Sequence, residues 1–127
     1  MKRINISSGA KWENLVGYSR VVRVGQMVEV AGTTSVVAGR LIGQGNPYLQ
    51  TKVILESIGQ ALAEAGASLE DVVRTRMYVT DIGLWEEVGK AHFEFFKDIK
   101  PVTSMVEVVG LIHPDMMVEI EATAIVP

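Results

Sequence analysis

The chain has 127 residues, 48% of them hydrophobic, which is enough for one domain with a real core and too few for two of ordinary size. Twelve Lys and Arg against 15 Asp and Glu give a net charge of −3 with no basic cluster, which counts against nucleic acid as a partner. There is no cysteine, hence no disulfide, thiol nucleophile or thiolate ligand, and no apolar run nears the roughly 18 residues of a membrane span, so the cytosol is the expected compartment.

In chain order, Lys2 to Ile6 alternates like a short edge strand, and residues 7–17 (SSGAKWENLVG) lack a sustained period and read as loop. Trp12 within that loop is either a packed aromatic or a lid over a cleft. Tyr18 to Val24 and Met27 to Thr33 are strand-like runs joined at Gly25-Gln26, as in a β-hairpin. Ser35 to Gly45 reads as an irregular excursion. Asn46-Pro47 then opens a helix, because asparagine caps well and proline fits the first helical position. Leu49, Val53, Ile54, Ile58, Ala61, Leu62 and Ala65 form its apolar stripe, and Gly66 can take the left-handed terminating conformation.

After a capped turn at Ser68 to Asp71, Val72 to Val79 is a strand with Arg74, Arg76 and Tyr78 on one side and Thr75, Met77 and Val79 on the other. A second helix, Leu84 to Asp98, carries the stripe Trp85, Val88, His92, Phe95, Phe96 and Ile99. Two alternating strands close the chain. In the first, Thr103, Met105 and Glu107 alternate with Val102, Ser104, Val106 and Val108; in the second, Glu119, Glu121 and Thr123 alternate with Val118, Ile120, Ala122 and Ala124. The pattern predicts an α+β domain over residues 1–127, with two helices on one face of a mostly antiparallel or mixed sheet. The other face must then meet water or another subunit.

Walker-type, dinucleotide-binding and HExxH motifs are absent, so neither cofactor nor metal is expected. His113 lies in a turn without ligand-spaced carboxylates and reads as a solvated loop residue. His92, on an apolar stripe, is either a satisfied core histidine or a proton carrier. Glu119 beside a half-buried cleft can accept a proton from water if its pKa is moderately raised, or it can pair with Arg20, Arg23, Arg74 or Arg76.

The segment PVTSMVEV at 101–108, followed by EIEA at 119–122, resembles the RidA/YjgF superfamily, as do GYS at 17–19, AGT at 31–33 and the stretch LAEAGASLEDVVRTRMYVTDI at 62–82. The resemblance covers nearly the whole chain. It implies a chorismate-mutase-like fold with a roughly six-stranded mixed sheet, assembled as a homotrimer with small-molecule clefts between subunits. Glu119 matches the glutamate that holds the attacking water in imine hydrolysis, and Tyr18 the tyrosine that closes over the ligand. Gly32 and the Met105 N–H match positions whose main-chain groups face the cleft.

One departure weighs against these matches. Imine deaminases of the family resemble Pro-x-Arg-Ser where this chain has Pro101-Val102-Thr103-Ser104, and a threonine hydroxyl replaces a charged bidentate fork. Either the ligand lacks a carboxylate, or another cation such as Arg76 or Lys90 takes over, or the cleft no longer catalyses. The expectation is a metabolite-binding imine or enamine deaminase, the alternatives a non-catalytic regulatory trimer and, against the charge, an endoribonuclease or translation inhibitor.

Overall fold

The computed structural model describes residues 1–127. Strands β1 (Arg3–Ile6), β2 (Val21–Val24), β3 (Met27–Thr33), β6 (Val72–Val79), β7 (Val102–Glu107) and β8 (Val118–Ile125) form one sheet in the order β1-β2-β3-β8-β6-β7. All neighbours are antiparallel except β6 and β7. That parallel pair needs a crossover, and α3 (Trp85–Phe96) supplies it. The mixed sheet and α+β class are those expected from the sequence.

Helix α2 (Pro47–Glu64) begins as its sequence predicts: the Asn46 side chain accepts from the Leu49 N–H at 3.0 Å, and Pro47 occupies the first turn. Gly66 follows with φ +77°, which a side chain would resist. Ile54, Leu55, Ile58 and Leu62 of α2 bury against Val28 and Val30 of β3 and Ile120, Ala122 and Ala124 of β8. Each large aliphatic side chain buried this way contributes roughly 1.5–3 kcal/mol. Val88 and Phe96 of α3 complete the core beside Met77 and Val79 of β6.

Four expectations are corrected. Residues 7–17 are not all loop, since α1 (Lys11–Val16) forms there and makes three α-helices rather than two. Its period was invisible because no apolar stripe holds it. Its buried residue is Glu13, which accepts from the Ser8 N–H and hydroxyl, and Gly17 at φ +90° caps the end. The hairpin starts later than Tyr18, at Val21. Ser35 to Gly45 contains a small ribbon, β4 (Val36–Val37) and β5 (Arg40–Leu41), turning through Ala38 and Gly39 at positive φ. Trp85 of α3 is 54% exposed, and Ala91 takes its share of the buried stripe.

A polar residue also entered the apolar stripe of α2. Gln50 is fully buried, donating to the carbonyls of Gly43 and Asp115 and accepting from the Met117 N–H. Satisfied this way, it costs little and ties the approach to β8 onto α2. Glu119, two residues beyond Met117, is thereby held in place.

Candidate functional site

At the end of β3, the register with β8 shifts between Val30 and Thr33, so Ala31-Gly32-Thr33 departs from regular pairing. The Glu119 carboxylate of β8 lies against Gly32. A Cβ on residue 32 would sit 2.6 Å from Glu119 Oε2, so only glycine leaves the carboxylate where it is. Beside them opens a cavity of about 520 Å³, walled by α1, α2 and the segment before β8. Tyr18, Arg20, Gly32 and Glu119 line it, with Trp12 and Ile112 among its apolar walls. Trp12 is 42% exposed, so it serves as cavity wall and not as a core anchor.

Burial pushes the Glu119 carboxyl above the usual carboxylate range, and the neighbouring charge of Glu121 adds to the effect. Glu119 makes no ion pair within this chain: the ion pairs are Arg76 with Glu121 at 3.8 Å and His113 with Asp115. Glu121 also accepts from the Tyr78 hydroxyl at 2.7 Å. Arg23 is spent on the carbonyls of Gly25 and Ala65. Arg20 donates through Nη1 to Thr33 Oγ1 at 2.6 Å and to the Ala31 carbonyl at 3.4 Å. Burial lowers its pKa, although the guanidinium stays charged in any working range.

The remaining sequence candidates lie elsewhere. Thr103 of β7 is paired with Thr75, on the helix-covered side, whereas Glu119 is paired with Tyr78, whose side chain points the other way. Thr75 Oγ1 donates to Thr103 Oγ1 at 2.7 Å, and Thr103 donates to the Thr75 carbonyl at 3.1 Å. His92 Nε2 lies 2.9 Å from Thr75 Oγ1 and its ring packs on Phe96, with burial pushing its pKa down. Met105 is half-buried against the core. Arg76 is engaged by Glu121, and Lys90 lies over the Tyr48 ring at 5.4 Å; neither lines the cavity.

The structure thus gathers Tyr18, Gly32 and Glu119 and leaves Thr103, Met105, His92 and Arg76 outside that cavity. It adds residues that sequence reading did not assign to a site, chiefly Arg20, Glu13 and Glu64. Arg20 had a signal, being two positions beyond Tyr18; Glu64 had none, since a helix-surface glutamate looks like any other. No three His, Asp or Glu side chains converge as a metal site.

Comparison with known proteins gives a consistent outcome. A family model described as endoribonuclease L-PSP matches residues 9–126. The crystal structure of Rv2704 from Mycobacterium tuberculosis, described as a member of the YjgF/YER057c/UK114 family, superposes with a TM-score of 0.90 at 52% identity, covering 98% of this chain and 100% of that one. A protein of Streptomyces coelicolor, SCO2049, is 40% identical over 94% of this chain and 89% of its own. The 3-aminoacrylate deaminase RutC of Acinetobacter baylyi is 32% identical over 63% of each chain.

Proposed function

Because the chain belongs to the RidA/YjgF family, we propose that its cavity takes a small carbonyl or imine metabolite and acts as an imine or enamine deaminase in the cytosol. The observation that carries this reading is the unpaired Glu119 carboxylate set against Gly32 at a cavity wall shared with Tyr18. A carboxylate whose pKa is raised by burial is, once ionised, a stronger base than an ordinary one. Water held by Glu119 gives up a proton to it and adds as hydroxide to the C=N carbon, and Glu119 returns that proton to nitrogen to give a carbinolamine. The carbinolamine hydroxyl then passes its proton through the same carboxylate to nitrogen as the C–N bond breaks, and ammonia leaves a carbonyl compound behind. The deaminase activity named for the Acinetobacter baylyi relative belongs to the same class of reaction.

The working unit in this proposal is a homotrimer. Within one chain, Thr103 and Glu119 lie on opposite sheet faces and two strands apart, a lateral step of about 10 Å. A second chain placing its Thr103 and Met105 opposite Tyr18, Gly32 and Glu119 would complete a two-sided cleft.

The test is ammonia release from freshly generated imines, wild type against Glu119→Gln. Loss of a general base predicts a fall of roughly 10²-fold or more with folding retained. Equal activity in the two proteins refutes the role given to Glu119. A second reading, a non-catalytic metabolite-binding trimer, draws on the uncharged Thr103, whose hydroxyl is already engaged by Thr75. Saturable binding of small carbonyl compounds with no turnover of any imine would favour it.

A further inference from the structure

The cavity is chemically lopsided. Among the 12 Lys and Arg residues of the chain, Arg20 alone lines it. A guanidinium has five N–H donors. Arg20 commits only Nη1, and to neutral oxygens, those of Thr33 and Ala31. The edge formed by Nε and Nη2 makes no hydrogen bond, and that edge is a planar fork matched to the two oxygens of a carboxylate. No carboxylate of the chain lies within ion-pair distance of Arg20. Glu13 and Glu64 share the cavity wall, yet Glu13 is held by the Ser8 N–H and hydroxyl. Glu13 and Glu64 act on Arg20 only across the cavity, and a half-buried cation with no carboxylate in direct contact is costly to the apo protein, a cost that an incoming anion relieves.

Position along the strand gives this cation a direction. Arg20 grips Ala31 and Thr33, the two neighbours of Gly32, and Gly32 is where Glu119 rests. Cation and carboxylate therefore converge on the same three residues of β3. We propose that Arg20 is the carboxylate anchor of the cavity, a specificity-determining residue that directs it to small 2-oxo and 2-imino acids in place of the arginine missing at position 103. This rests on the cavity being the ligand site, and does not require that the cavity be catalytic. Glu13, Glu64 and Glu119 around a single arginine tolerate one negative charge and repel several, so phosphorylated ligands are disfavoured.

The test uses pyruvate and its neutral isostere pyruvamide, titrated into wild type, Arg20→Gln, Arg20→Lys and Thr103→Arg, with thermal melts checking each fold. Wild type should prefer pyruvate by about tenfold to a hundredfold, the size of a charge-assisted contact. Arg20→Gln should bring the two ligands within about twofold of each other, and Arg20→Lys should keep part of the preference, since charge survives while the fork does not. In unmutated protein, the Arg20 Nε–H resonance should shift on adding pyruvate and stay still with pyruvamide, a readout that holds even if Arg20→Gln misfolds. An unmoved resonance at saturating pyruvate overturns the proposal. So does a preference that persists in folded Arg20→Gln, one that arises only in Thr103→Arg, or failure of wild type to bind pyruvate. An Arg20-dependent preference without ammonia release from any imine leaves the anchor standing and refutes the deaminase reading. Ammonia release that needs Glu119 but ignores Arg20 does the reverse.

Discussion

Glu119 carries two demands that oppose each other. Burial beside Gly32 raises its pKa, which suits a base, but the folded protein then holds a proton that the unfolded chain has already released. Its contribution to stability is full below the unfolded value of 4.5 and is lost as pH rises through the higher folded value. Glu119→Gln cannot ionise, so its melting temperature should gain on wild type as pH rises from about 4.5 toward neutrality, and the difference should shrink in acid. A difference that does not change with pH would show that Glu119 titrates normally. The variant is thus expected to lose activity and gain stability together, as functional carboxylates often require.

At the level of elements, β7, β6 and α3 are joined through one chain of hydroxyls and a ring. Counting protons orders it: if Thr103 donates to the Thr75 carbonyl and Thr75 donates to Thr103, then Thr75 accepts from His92 Nε2–H. The reverse order leaves one of these three bonds unmade. His92 therefore donates from Nε2, and burial, which lowers its pKa, favours the neutral ring with its proton on that nitrogen. Stability from this group is present above its unfolded value of 6.5 and is lost as pH falls through the lower folded value. Denaturant midpoints across pH 7 to 4 should fall less steeply for His92→Gln than for wild type. Parallel curves would show that the ring titrates alike in both states.

For the whole molecule, the governing fact is that α2 and α3 cover only one side of the sheet. On the other, Met27, Val102, Val106 and Ile125 are exposed at 51, 57, 47 and 46%. Monomeric proteins rarely leave such apolar area on a strand face, and closed rotational symmetry is the usual way to cover it. Light scattering behind size exclusion should give three times the 13.8 kDa chain mass at micromolar concentration. A monomer would remove the basis for an intersubunit cleft, while leaving the Arg20 experiment intact.

What the sequence determined by itself was local. Asn46-Pro47 and Gly66 bracket α2, alternation from 118 to 125 marks β8 with its Glu119 side, and the motifs from Tyr18 to Glu119 carry the family, because caps, periods and motifs involve residues near one another in the chain. Only the tertiary structure decided which side chains share a site. Thr103 and Glu119, both on polar-looking alternating strands, fall on opposite faces because the register pairs Thr103 with Thr75 and Glu119 with Tyr78, residues of opposite parity on β6. The place of Arg20 in a site became visible only once α1, the end of β3, α2 and the segment before β8 enclosed a cavity beside it. Whether a cation is free or spent depends on partners distant in sequence, and no spacing along the chain records that.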